Sequence, residues 1–132
     1  MVLEYRINSK FSFEEACSKV PEAVSKNGFA VLAEIKTSEI LKSKGFDYAP
    51  LRTFDICNAG YANKALSLSK IAEALLPCHL IVRGNGDHTE ISVQLPKDTF
   101  NALFPKGEAK MEAFMNEVEG KLKNIVDSLA KQ

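Results

Sequence analysis

The chain has 132 residues, 45% of them hydrophobic and 26% charged, the size and make-up of a single soluble globular domain with a real core. Lys plus Arg and Asp plus Glu are equal at 17 each, so no domain-wide field draws it to phosphates or anionic lipid, and nucleic acid and membrane are set aside as partners. No basic leader followed by an apolar run opens it and no stretch nears the roughly 18 apolar residues of a bilayer span, which points to a cytoplasmic protein.

Leu3, Tyr5 and Ile7 alternate with Val2, Glu4 and Arg6, the period of two that marks a strand with one face on a core. Ser12 stands three residues before Glu15, a capping box. Phe13, Ala16, Cys17, Val20 and Val24 then recur at helical spacing until Asn27-Gly28 supplies a left-handed stop. Pro21 falls inside this helix and predicts a kink or a loosened turn. Phe29, Val31, Ala33 and Ile35 alternate with Ala30, Leu32, Glu34 and Lys36 in a second strand, after which Thr37 caps a short helix through Lys44 and Gly45 ends it. Pro50 opens a third strand that runs to Cys57, since proline is tolerated at a strand's first residue. Tyr61 to Ala74 reads as a helix around Ala62, Ala65 and Leu66, weakened in its second half by Ser67 and Ser69 and terminated by Pro77.

Residues 80–83 and 89–95 are strands flanking Gly84-Asn85-Gly86-Asp87, and Asn-Gly between two alternating runs predicts a hairpin. A turn or helical piece leads from Pro96 to Pro105. Met111, Phe114, Met115, Val118, Leu122, Ile125, Val126 and Leu129 then mark one face of a long final helix, about 107–131, as a core or dimer seam. Glu117 with Lys121, Glu119 with Lys123 and Asp127 with Lys131 place acid before base at i, i+4. Without a Gly-rich parallel crossover, a doubly wound nucleotide fold is disfavoured. With the inserted small helices discounted, the order is β-α-β-β-β-β-α. That is one α+β domain over 1–132, a curved, mainly antiparallel sheet of about five strands with the longer helices on one face.

Assigned by alternation, one sheet face collects Leu3, Tyr5, Ile7, Phe29, Val31, Ile35, Phe54, Ile56, Ile91, Val93 and Leu95 and forms the core. The other collects Glu4, Arg6, Glu34, Asp55, Cys57, His79, Arg83, His88 and Glu90 among Leu32, Leu51 and Ile81, too polar for a buried face and too apolar for a solvated one. Antiparallel pairing of the third and fourth strands brings Asp55-Ile56-Cys57-Asn58-Ala59 and Leu75-Leu76-Pro77-Cys78-His79 together. The candidate ligand-binding residues there are Glu34, Asp55, Cys57, Asn58, His79 and Arg83, with Cys78 packed behind on the core side.

Three chemistries are open to this corner. A pocket between the open sheet face and the 58–77 segment would bind a small ligand noncovalently, with Asn58, His79 and Arg83 as hydrogen-bonding groups. A thiolate site would need Cys57 or Cys78 activated by His79 or Arg83. A metal site would draw on Cys57 and His79 with Asp55 or Glu34, without any HxxxH or HExxH spacing to support it. The three cysteines, Cys17, Cys57 and Cys78, are 40 and 21 residues apart and fit neither a CxxC pair nor a zinc finger, so no disulfide framework is expected. No catalytic signature is present: there is no phosphate loop with its lysine, no GxSxG elbow and no defensible Ser-His-Asp spacing.

Gly28-Phe29-Ala30-Val31-Leu32-Ala33-Glu34-Ile35, then Asp55-Ile56-Cys57-Asn58-Ala59 with Ala62 and Ala65-Leu66, then Leu75-Leu76-Pro77-Cys78 and an alternating strand ending near Pro96, resembles the domain-of-unknown-function 302 (DUF302) family over about residues 5 to 98. The resemblance implies a compact α+β domain, dimeric, related in topology to a single repeat of TATA-box-binding-like folds. The family's Cys-Asn-Pro stands here as Cys57-Asn58-Ala59. Glu34, Cys57, Asn58, Pro77 and Cys78 match its recurrent residues, and no activity or cofactor comes with them. The expectation is a small cytoplasmic homodimer that binds or senses a small ligand. The alternatives are a thiol-dependent redox accessory or metal-binding protein using Cys57, Cys78 and His79, and a protein-interaction module acting through the C-terminal helix.

Overall fold

A computed structural model describes residues 3–103 and 109–130. Its elements are β1 (Glu4–Ser9), α1 (Phe13–Lys26), β2 (Ala30–Ile35), α2 (Thr37–Ser43), β3 (Leu51–Cys57), α3 (Ala59–Leu68), α4 (Ala72–Leu75), β4 (Cys78–Asn85), β5 (His88–Gln94), α5 (Pro96–Leu103) and α6 (Ala109–Ser128). The five strands form one antiparallel sheet in the order β1-β5-β4-β3-β2. Helices α1 and α6 cover one face. Stripping out α2 to α5 leaves β-α-β-β-β-β-α, the expected α+β order.

Local chemistry accounts for most boundaries. The capping box at α1 is present, with Ser12 Oγ accepting from Glu15 N and Glu15 Oε1 accepting from Ser12 N, both at 3.2 Å. The helix runs on through Pro21, which sits on its exposed side. Gly28, at φ 79°, follows the Asn27 cap as expected. The predicted 61–74 helix is two pieces: Ser69 is extended at φ −163°, ψ 140°. Ser67 Oγ and Ser69 Oγ each bond nearby backbone instead of supporting the helix, at 2.8 and 3.2 Å. Thr37 is the first residue of α2 rather than its cap, a position held by Lys36. The hairpin turn is centred on Gly86-Asp87, one residue later than Asn85-Gly86, because Asn85 still pairs with His88. Gly86 supplies the positive φ of 65° at the first central position.

The core lies between the α1–α6 layer and the sheet. Val20, Val24, Leu122, Ile125, Val126 and Leu129 meet Phe54, Ile56, Leu80, Val82, Ile91 and Val93, all at most 2% exposed. Each such side chain contributes about 1.5–3 kcal/mol by leaving water. The acids of α6 tie it to other elements. Asp127 Oδ1 accepts from Tyr5 Oη at 2.6 Å, and Glu119 Oε2 accepts from Lys97 N at 2.7 Å. Lys131, the expected partner of Asp127, lies outside the described residues, as does Pro105.

One register feature overturns part of the face assignment. Between Val31 and Ala33 the β2–β3 ladder carries a bulge, so Val31 opposes Ile56 but Glu34 opposes Phe54 and Ile35 opposes Thr53. Glu34 therefore shares the helix-covered face, and Ile35 stands on the open face, 38% exposed, rather than in the core. Leu3 likewise lies outside the core at 54% exposure, one residue before β1 begins.

Candidate functional site

The open face joins two of the predicted residues directly. Asp55 and His79 are register partners on β3 and β4, and His79 Nδ1 donates to Asp55 Oδ1 at 2.6 Å. Arg83 lies farther along β4, donating to Ser92 Oγ at 2.8 Å and lying 3.7 Å from Glu4. Arg6 bridges Glu4 and Glu90 on the same face. This face is thus a set of internally paired charges beside an apolar half of Leu51, Thr53 and Ile81, joined at the sheet edge by exposed Ile35.

Glu34 belongs to a separate place. From the helix-covered face, Arg52, with its side chain only 9% exposed, pairs with Glu34 at 3.2 Å, Glu14 at 3.6 Å and Glu39 at 3.7 Å, and stacks 5.4 Å over the Phe13 ring. No pattern in the sequence marks a buried arginine at that position of an alternating strand.

Cys57, Asn58 and Cys78 converge at the end of the sheet, on the wall of a cavity bounded by α3, the 75–76 segment, α5 and α6. Asn58 builds this wall. Its Oδ1 caps α3 by accepting from Tyr61 N at 2.9 Å, and its Nδ2 donates to Gly28 O at 2.7 Å. A Cβ on Gly28 would come within 3.3 Å of Asn58 Nδ2, so glycine there serves both the positive φ and this contact. Tyr61 reaches across the cavity, its ring 5.9 Å from Phe29 and edge-on to Phe114 at 5.7 Å. The space where a water-sized sphere can be centred is about 30 Å³. That exceeds the ~10–15 Å³ that one water requires.

The cavity lies on the helix side of the corner, not between the open face and the 58–77 segment, because α3 folds back onto Phe114 of α6. It separates Cys57, Asn58 and Cys78 from Asp55, His79 and Arg83. Sequence patterning did not mark Gln94 or Thr99, which also line it. Gln94 ends β5 opposite Glu4, so its side chain keeps the open-face parity.

Burial pushes all three thiols up. Cys78 rises to about 12, through burial and then the neighbouring Cys57. Cys17 rises to about 11, with Arg52 offsetting part of the shift, and Cys57 is raised by burial alone. All three are free thiols. Among the described residues no three His, Cys, Asp or Glu side chains converge to hold a metal ion, and no helix is long and apolar enough to cross a membrane.

The family model described as "Domain of unknown function DUF302" matches residues 5–129. No curated protein matches the chain. Among solved structures the chain is similar to the "uncharacterized conserved protein DUF302 from Bacillus stearothermophilus", at 22% identity over 98% of this chain and 99% of that one, with a TM-score of 0.88. At that identity the likeness speaks for the fold, which the two share from end to end. With the family model covering nearly its whole length, the chain belongs to the DUF302 family.

Proposed function

We propose that this domain binds or senses a small neutral ligand in the cavity under the 58–77 segment, and that it works as a homodimer. The observation that carries the first part is the cavity itself: mainly apolar, framed by aromatic rings and without a charged side chain on its wall among the described residues. The test is thermal denaturation in the presence of neutral aromatic and aliphatic fragments. Fragments that raise Tm for the wild-type chain should lose the effect in Ala65→Leu, which fills the cavity from α3. A panel that raises Tm in neither chain sinks the reading.

A separate observation favours a second copy as partner. Leu32, Ile35, Ile40, Phe46 and Tyr48 are each 38–62% exposed, all within β2, α2 and the loop leading to β3. The neighbouring open-face charges already neutralise one another, so an identical face meets no net repulsion. Light scattering at high micromolar concentration should give twice the monomer mass, and Ile35→Glu should halve it. A monomeric wild-type chain removes this part.

The alternatives draw less support. His79 is bound to Asp55 on the face away from Cys78, and Cys57 and Cys78 lack the positive neighbour that activation requires. The apolar stripe of α6 is consumed in its own core, which leaves that helix little surface for a partner.

A further inference from the structure

The loop between α2 and β3 is tied at both ends and yet shows its largest side chains to solvent. Gly45, at φ 89°, ends α2, with Gly45 N donating to Lys42 O and Phe46 N to Leu41 O, both at 3.0 Å. The other end is fixed by Ser38 Oγ, which accepts from Leu51 N at 2.9 Å, and by Pro50 O, which accepts from Gly84 N at 2.8 Å. Between these ties Phe46 and Tyr48 are 62% and 61% exposed. The two rings differ in what they meet. Tyr48, with Pro50, walls a groove of about 540 Å³ whose floor is the apolar half of the open face, Leu51, Thr53 and Ile81. Phe46 stands outside that groove. A ring already ordered by its own loop enters a partner with little further loss of freedom, which is the character of an interface anchor.

Charge selects what fills the groove. Arg83 at its edge is taken up by Ser92 and Glu4, while Glu90 meets its own Arg6 only at 3.7 Å. Asp47, also at the edge, has no ion pair among the described residues. On the segment that carries Phe46, Lys36, Lys42 and Lys44 are exposed and likewise have no ion pair among the described residues. A basic, aromatic tip and an acid-edged groove thus lie on one chain, and a second copy offers the matching half of each. We propose that two copies exchange their 44–48 loops about a two-fold axis, each Phe46 ring entering the other copy's open-face groove and Lys44 reaching its acidic edge. The inference rests on the homodimer and adds which side chain anchors it and where.

The experiment measures the dimer Kd by analytical ultracentrifugation for the full wild-type chain, Phe46→Ala and Lys44→Glu. Loss of one anchor ring weakens an interface by about thirtyfold, and a two-fold dimer loses two, so Phe46→Ala is expected to raise Kd by at least about a hundredfold. Lys44→Glu is expected to raise it by a smaller factor that shrinks in high salt. Both side chains are exposed in the single chain, so the urea midpoint of the monomer should not move in either variant. In a dimer mixed from isotope-labelled and unlabelled chains, filtered NOEs should join Phe46 ring protons to the Leu51 and Ile81 methyls, a readout that needs no variant. A monomeric wild-type chain overturns this inference together with the homodimer. A dimer whose Kd is unchanged in Phe46→Ala, or that lacks those NOEs, overturns the loop exchange and leaves the homodimer standing. An unchanged Kd in Lys44→Glu overturns the charge match.

Discussion

Arg52 offers a sharp test of what stabilises the region around α2. Its side chain is 9% exposed, whereas Glu34, Glu14 and Glu39 are 40%, 76% and 58% exposed. The two sides of the cluster therefore respond unequally to deletion. In Arg52→Met the three carboxylates return to water. Their ion pairs, being solvated on one side, are worth up to about 1 kcal/mol each, and the contact with Phe13 about 0.5–2 kcal/mol. Against this loss stands the release of a buried guanidinium whose Nε has no partner, a group that costs about 1–3 kcal/mol. The net change should be within about 1 kcal/mol. Glu34→Ala instead leaves the cation in place without its nearest counter-ion. The expected cost is about 2–3 kcal/mol, below the usual 3–5 kcal/mol because Glu14 and Glu39 remain. With a urea slope of about 1.5 kcal/mol per molar, Glu34→Ala lowers the unfolding midpoint by about 1.3–2 M and Arg52→Met by less than about 0.7 M. In an Arg52→Met background, Glu34→Ala should cost almost nothing. If Arg52→Met is as damaging as Glu34→Ala, attraction outweighs desolvation here and the reasoning is refuted.

Asn58→Ala removes both the α3 cap and the tie to Gly28 and should lower stability by about 2 kcal/mol in chemical denaturation. A loss below about 0.5 kcal/mol would mean that α3 is held by packing alone. Stability should also fall with rising pH above about 9. The unfolded thiols ionise there while Cys17 and Cys78 stay protonated until about 11 and about 12, so the unfolded state binds fewer protons. Each contributes a slope of up to about 1.4 kcal/mol per pH unit, and Cys78→Ala should flatten the pH profile of the urea midpoint. Iodoacetamide followed by mass spectrometry should label Cys57 first, since Cys17 and Cys78 are buried. Equal labelling of all three in the native chain would contradict the packing described.

Strand and helix periodicities carried most of the architecture because long alternating runs such as 89–95 and the α6 stripe agree with their tertiary surroundings. Asp55 and His79 were legible as neighbours for the same reason, as direct cross-strand partners. Glu34 was not. A bulge changes parity without leaving a mark in composition, and only the register with Phe54 shows on which side the carboxylate lies. The cavity was legible in its residues but not in its side of the sheet. Cys57 and Cys78 sit at strand ends, where alternation stops deciding direction and the return of α3 onto Phe114 takes over.

The strand order has a consequence for how the molecule assembles. Strands β2 to β5 pair with their neighbours in sequence, so each closes only a short loop. β1 does not: Glu4 pairs with Gln94, and the clamps that finish it, Tyr5 on Asp127 and Ser9 on the Leu129 carbonyl, span 122 and 120 residues. During synthesis at about 5–20 residues per second, the first strand waits on the order of 4–18 s for its partner. Its outward side carries Glu4 and Arg6 bonded to each other at 2.9 Å, which keeps that side charged and poorly suited to stray pairing while it waits.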